Sequence, residues 1–289
     1  MPYLTLVSAL ELSALQASAQ TTVVLDCSSE LGDDEAGVRA YAAGHIPGAR
    51  HVDMDHTLSG VRTGDNGRNP LPEPLVFMQA MSALGIGEHT QVVAYDNGGG
   101  LYAARLWWML RWIGHAAVAV LDGGLATWKA VGLPISTDIS NRPRPAQLKR
   151  RPALVKTTSY LELRADLDQW LVLDARAPER FRGANETLDR QAGHIPGARN
   201  RPYRDNLRLD GRFKPAEQLR ADFDFITGGH PAAAIVSQCG SGVSACHNLL
   251  AMEVAGLPGA ALYPGSWSEW CSRPDAPVAT GDGAIPDSV

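Results

Sequence analysis

The chain has 289 residues, 45% of them hydrophobic and 20% charged, with a formal net charge of −5. The acidic balance and the lack of a long basic run exclude nucleic acid as a natural partner. No apolar stretch reaches membrane-spanning length, and four cysteines are too few for a disulfide framework. The first 38 residues hold no Lys or Arg, so neither a secretory signal nor an arginine-rich transit peptide is expected, and a reducing cytoplasm is the expected location.

The pattern opens with Ser8-x-x-Glu11, a capping box at the start of a first helix. Val23-Val24-Leu25-Asp26 reads as a buried strand and leads to Gly44-His45-Ile46-Pro47-Gly48-Ala49-Arg50. Val92-Val93-Ala94-Tyr95 is a second strand, ending on Asp96-Asn97-Gly98-Gly99-Gly100. A helix is expected over 101–112, a strand over 118–121, and then Asp122-Gly123-Gly124-Leu125-Ala126-Thr127-Trp128. The stretch from Pro134 to Pro152 is dense in proline and charge and reads as a linker.

Beyond it the same order of features returns. Ser159-x-x-Glu162 repeats the capping box, Leu171-Val172-Leu173-Asp174 repeats the first strand, and Gly193-His194-Ile195-Pro196-Gly197-Ala198-Arg199 repeats the earlier heptad word for word. Pro264-Gly265-Ser266-Trp267-Ser268-Glu269-Trp270 aligns with 122–128. A period this long marks one domain duplicated, not a solenoid. The expected division is a first domain over 1–135, a linker over 136–152 and a second domain over 153–289, each of ordinary domain size. Short apolar strands alternating with amphipathic helices predict α/β domains, each with a mainly parallel, doubly wound sheet and helices on both faces.

The halves differ where chemistry is expected. In the second, the apolar run 232–236 reads as a buried strand, 246–253 as a helix, and between them lies Cys239-Gly240-Ser241-Gly242-Val243-Ser244. A thiol at the carboxyl end of a parallel strand sits where open α/β sheets place their sites. Backbone N–H groups at a helix start lack intrahelical partners and carry partial positive charge, which stabilises a thiolate. In the first half the counterpart of Cys239 is Asp96, which offers no thiol, so that half is expected to be catalytically silent. A phosphatase loop would need arginine six residues after the cysteine; here that residue is Ala245.

The segment Cys239 to Ser244 resembles the active loop of rhodanese-type sulfurtransferases, and its wording is nearest to that of the 3-mercaptopyruvate sulfurtransferases. The resemblance covers essentially the whole chain. It implies two tandem rhodanese-like domains, a Cys239 persulfide, a small-molecule sulfur donor, and a thiol, cyanide or thioredoxin-like acceptor. Thiosulfate-preferring relatives place cations at the two positions after the cysteine; here these are the neutral Gly240 and Ser241, which favours 3-mercaptopyruvate. A thiosulfate sulfurtransferase is the alternative, and a non-enzymatic sulfur-sensing or adaptor module a more remote one.

In the family Ser241 would join a triad with a histidine and an aspartate from the first half. Asp55 matches the aspartate, but the histidine position falls in Gly67-Arg68-Asn69-Pro70, and His56 has the wrong spacing. A preformed thiolate needs no base in any case. Arg182 and Arg190 resemble the family's mercaptopyruvate-binding pair, since guanidinium forks suit a ketoacid. Asp174 fits either a support of the loop or a purely structural role. His45 and His194 are expected to be structural, and Trp267 and Trp270 either wall the pocket or pack in the core. No Cys or His pair has metal-ligand spacing, so neither a metal nor an organic cofactor is expected.

Overall fold

Asp26 and Tyr95 end two adjacent strands that pair residue for residue, and this pairing sets the centre of the first of two sheets. The computed structural model describes residues 1–139 and 143–283. Positions 140–142 of the expected linker and 284–289 of the expected second domain lie outside the described residues. The chain divides into two compact units: Met1–Gly60 with Leu71–Leu154 and Leu209–Phe213, and Val61–Pro70 with Val155–Arg208 and Lys214–Val289.

In the first unit the strands are β1 (Leu6–Val7), β2 (Thr22–Asp26), β3 (Arg50–His51), β4 (Gln91–Tyr95) and β5 (Val118–Leu121), all parallel, in the order β1-β5-β4-β2-β3. The helices are α1 (Ala9–Ala17), α2 (Ala36–Ala43), α3 (Pro74–Ala83), α4 (Ala103–Trp112) and α5 (Gly124–Ala130). Val24, Val93, Tyr95, Ala119 and Leu121 share one core with Leu12 and Leu15 of α1 and Trp128 of α5. The intervening residues Val23, Leu25, Val92, Ala94, Val118 and Val120 are also buried, facing the opposite way, as side-chain alternation requires. Burial on both faces explains why these strands read as continuous apolar runs.

The second unit repeats the plan with β6 (Lys156–Thr157), β7 (Leu171–Asp174), β8 (Arg199–Asn200), β9 (Ile235–Gln238) and β10 (Ala261–Leu262), in the order β6-β10-β9-β7-β8. Its helices are α6 (Tyr160–Ala165), α7 (Pro178–Arg182), α8 (Ala216–Thr227), α9 (Ser244–Val254) and α10 (Ser266–Trp270). The strand expected over 232–236 starts later: Ala232–Ala234 forms a 3-10 turn behind Pro231, and β9 begins at Ile235. Both capping boxes form, with Ser8 and Ser159 each accepting from the N–H of the glutamate three residues on.

The repeated heptads have matching structural roles. His45 stacks on Tyr41 with ring centroids 3.8 Å apart and bonds the Tyr41 carbonyl through Nδ1. His194 stacks on Phe181 at 3.9 Å and bonds the Phe181 carbonyl in the same way. Trp267 and Trp270 are fully buried in the second core, each donating its indole N–H to a carbonyl, Gln191 and Pro277 respectively. Among the described residues no helix is long and apolar enough to cross a membrane.

Candidate active site

The centre of the second sheet delivers Cys239. β9 is buried along its whole length and is flanked by β7 and β10, so the residue after Gln238 emerges at the carboxyl edge. Cys239 is 2% exposed. The chain then turns through Gly240, Ser241, Gly242 and Val243, and α9 begins at Ser244. Gly242 makes the turn possible: its φ is +77°, and a Cβ there would lie 2.3 Å from the Pro264 carbonyl oxygen. Its N–H donates to Cys239 Sγ at 3.1 Å. Val243 is buried and Ser241 half-buried.

The first turn of α10 pins the loop from the other side. Cys239 N–H donates to Ser266 Oγ at 3.1 Å, and the Cys239 carbonyl accepts from Trp267 N–H at 3.0 Å. The Gly240 carbonyl accepts from Ser268 N–H at 3.0 Å. Ser266 adopts φ +53°, the left-handed region, and its hydroxyl donates onward to the Tyr263 carbonyl at 2.9 Å. Both peptide groups around the thiol are thereby fixed.

Two guanidiniums close on Gly240. A Cβ built there would lie 2.7 Å from Arg68 Nη2 and 3.3 Å from Arg180 Nη1. Arg68 comes from the segment Val61–Pro70, which belongs to the second unit. It is anchored by its own N–H on Ser268 Oγ at 3.0 Å, while neighbouring Asp65 holds Arg273 through its carbonyl at 2.9 Å. Gly67, at φ +85°, permits the close pass over Gly265. The Arg68 guanidinium pairs with Asp189. Arg180 donates to Glu186 at 3.1 Å and to Asp189 at 2.8 Å, and both carboxylate side chains are 3% exposed.

These acids titrate apart. Burial, reinforced by the charge of Glu186, holds Asp189 above the usual carboxylate range despite Arg68 and Arg180. Glu186 is itself buried, which alone would raise it, yet the N–H groups of Leu188 and Asp189 and the Arg180 guanidinium bring it below that range. Behind them, Arg176 chelates Asp174, with Nη2 to Oδ2 at 2.6 Å, and lies 4.9 Å from the centre of the Trp267 ring. Asp174 thus reaches the loop through Arg176 and the start of α10.

The arginines expected from sequence are not the ones nearest Gly240. Arg182 is exposed and pairs loosely with Glu179 at 3.7 Å and Asp282 at 3.8 Å; Arg190 is exposed as well. The reason is helical phase. In α7 the ring of Phe181 is buried, so residues 180 and 182 point to opposite flanks, and the flank toward Gly240 belongs to Arg180. Asp55 lies in the first unit, half-buried, with its N–H on Asp53 Oδ1 at 2.8 Å; His56 pairs with Asp53, not Asp55.

The remaining cysteines are set apart from Cys239. All four are free and buried. Burial pushes the thiols of Cys27 and Cys271 up, with nearby Asp96 and Asp189 respectively adding to the shift. Cys246 donates its S–H to the Gly242 carbonyl at 3.3 Å, bracing the turn. His247 is buried, 3.2 Å from Asn206 Nδ2, with its ring edge to Tyr203.

A rhodanese-like domain model matches the chain twice, over residues 8–131 and 157–273. The chain belongs to the rhodanese family. It is 46% identical over 273 residues to a probable 3-mercaptopyruvate sulfurtransferase of Pseudomonas aeruginosa, spanning 93% of this chain and 96% of that one. It is 38% identical to the 3-mercaptopyruvate sulfurtransferase of Homo sapiens, spanning 92% and 91%. Among solved structures it resembles the 3-mercaptopyruvate sulfurtransferase of Leishmania major with a TM-score of 0.83 and 31% identity, covering 92% of this chain and 74% of that one. Both units therefore carry the rhodanese fold, and the cysteine-bearing loop lies in the second.

The sequence reading missed Arg180 and the carboxylates Glu186 and Asp189 as neighbours of the loop, and met Arg68 only in the stretch where the family's histidine would fall. The signal for Arg180 was local: a buried aromatic in a one-turn helix allows one of its two flanking arginines to face the loop. For Arg68 the signal was that resemblance alone, because its placement depends on a segment of the first half of the chain packing with the second unit.

Proposed function

We propose that this protein is a sulfurtransferase that takes sulfur from 3-mercaptopyruvate onto Cys239 and passes it to a thiol, to cyanide or to a thioredoxin-like protein. The observation that carries the reading is a buried thiol on a helix-opening turn, with its peptide groups fixed by α10 and two guanidiniums standing at the next residue. The names of the relatives at 46% and 38% identity support the choice of donor.

The Cys239 thiolate attacks the donor sulfur. An S–S bond forms as the C–S bond breaks, the electron pair passes to carbon, and pyruvate leaves as its enolate and takes up a proton. Arg180 and Arg68 are the groups that recognise the donor's carboxylate and carbonyl, by charge-assisted hydrogen bonds to developing negative charge. The outer sulfur of the persulfide is stabilised by the N–H groups of the turn from Gly240 to Ser244 and by the positive end of α9. Ser241 contributes a hydroxyl to the donor. The acceptor thiolate then attacks the outer sulfur and restores Cys239, so the kinetics are ping-pong. Asp174 supports the loop through Arg176. The first rhodanese-like half carries no sulfur. A reducing cytoplasm keeps the thiol available between turnovers.

Intact-protein mass spectrometry tests the reading. Mercaptopyruvate should add one sulfur to the wild type, cyanide should remove it, and Cys239→Ser should show no gain. A wild type charged by thiosulfate with a higher kcat/KM than by mercaptopyruvate would reverse the choice of donor.

A further inference from the structure

The two guanidiniums that stand at Gly240 are already partnered. Arg68, Arg176 and Arg180 share a cluster with the buried side chains of Asp174, Glu186 and Asp189, three guanidiniums against three carboxyl groups. Asp189 holds the decisive place. Its carboxylate bridges the guanidinium of Arg68 and that of Arg180, the two that reach the loop. It is also held firmly. Glu186 Oε1 accepts the N–H groups of Leu188 at 2.9 Å and Asp189 at 3.1 Å, which folds the segment back on itself and fixes both acids beneath the arginines.

We propose that Asp189 sets the donor preference of this site: its carboxylate cancels part of the positive charge that Arg68 and Arg180 bring to the loop, so that a monoanionic donor is matched and a dianionic one is penalised. This rests on the sulfurtransferase reading above. Neutrality at Gly240 and Ser241 is half of the explanation, because the side chains of those residues add no cation while Arg68 and Arg180 do. The acids behind the arginines complete it. Thiosulfate carries two charges and mercaptopyruvate one at neutral pH. Every uncompensated positive charge within several ångströms therefore favours thiosulfate, and every added carboxylate disfavours it. Holding two arginines in place requires an acceptor, which an asparagine oxygen also supplies. The residue here is instead an acid, placed against both guanidiniums in a site where burial opposes its charge.

The test is Asp189→Asn, which keeps the shape and the acceptor oxygen and removes the charge. Persulfide formation is measured with thiosulfate and with mercaptopyruvate, using cyanide as common acceptor, at low salt and at about 0.5 M salt. The ratio of kcat/KM for thiosulfate to that for mercaptopyruvate should rise about tenfold, through an absolute gain with thiosulfate, and the rise should shrink at high salt. Glu186→Gln removes a charge from the other side of Arg180 and should move the ratio in the same direction; it decides the matter should Asp189→Asn fail to fold. An unchanged ratio, or a parallel fall with both donors, would overturn the proposal and leave Asp189 as a positioning residue. A wild type that does not accept mercaptopyruvate overturns the donor reading instead, and the thiosulfate constants of wild type and variants still decide the role of Asp189.

Discussion

At the carboxyl end of β4 the loop closes around Asp96, and at the carboxyl end of β9 the corresponding loop closes around Cys239. In the first unit the carboxylate takes four backbone donors: Gly98 at 2.8 Å and Gly100 at 2.9 Å on Oδ1, Tyr102 at 2.8 Å and Ala103 at 2.9 Å on Oδ2. In the second, Cys239 Sγ accepts from Gly242 N–H. The next helix docks in the same way in both, with Leu125 N–H on the Asp96 carbonyl and Trp267 N–H on the Cys239 carbonyl. The repeat thus preserves an anion cradle, and the side chain set in it decides what the cradle does. A carboxylate fills it permanently and turns it into structure. A sulfur atom there takes the Gly242 N–H, and in the proposed reaction a second sulfur joins it.

The largest test of this contrast dissociates stability from chemistry. Asp96→Ala strips four N–H groups of their acceptor, two of them buried, and should destabilise the protein by on the order of 3 kcal/mol, read from urea unfolding. Cys239→Ala should stay within about 1 kcal/mol of wild type while losing all sulfur transfer. An Asp96→Ala protein as stable as wild type would mean that the first cradle is not held by its carboxylate.

The second test concerns the arginines. Arg68→Ala and Arg180→Ala should each lower kcat/KM for persulfide formation by about 10- to 150-fold, the loss of one charge-assisted hydrogen bond in the transition state. Arg182→Ala and Arg190→Ala change exposed side chains and should stay within about threefold. Discharge of a preformed persulfide to cyanide should be little changed in all four, because pyruvate has already left. Equal losses at Arg180 and Arg182 would return donor recognition to the pair expected from sequence.

That expectation shows which parts of the molecule could be read from the sequence alone. The duplicated fold was legible because its signals are local: Ser8 and Ser159 with their glutamates, the apolar strands, and the two Gly-His-Ile-Pro-Gly-Ala-Arg stretches whose histidines stack on Tyr41 and Phe181. The cysteine-bearing turn was legible because a strand, a cysteine, glycines and a helix follow one another directly. The surroundings of the thiol were not. Arg180 and Arg182 differ only in helical phase, and Arg68 approaches Gly240 across more than 170 positions of sequence. The acids were hidden for the same reason: two arginines were expected at the loop, but not the carboxylates of Asp189 and Glu186 that pair with the two that reach it.

The last and smallest effect is expected at Ser266. It occupies the place of Gly124 in the repeat, and both adopt the left-handed backbone region, at φ +53° and +57°. Glycine is the residue that region favours; a serine there costs on the order of 1 kcal/mol. In the first unit a Cβ at Gly124 would lie 2.3 Å from the Asp96 carbonyl oxygen, so glycine is required by contact as well as by φ. In the second unit the side chain is accommodated, and its hydroxyl accepts the Cys239 N–H and donates to the Tyr263 carbonyl. Ser266→Gly therefore relieves the strain and removes two hydrogen bonds, terms of similar size and opposite sign, and its melting temperature should stay close to that of wild type. Persulfide formation should nonetheless slow by about three- to tenfold, because the peptide that carries the thiol loses one of its anchors. A variant that keeps wild-type rates would make Ser266 an ordinary packing residue. One that loses rate and stability together would place its role in the fold, not in the alignment of Cys239.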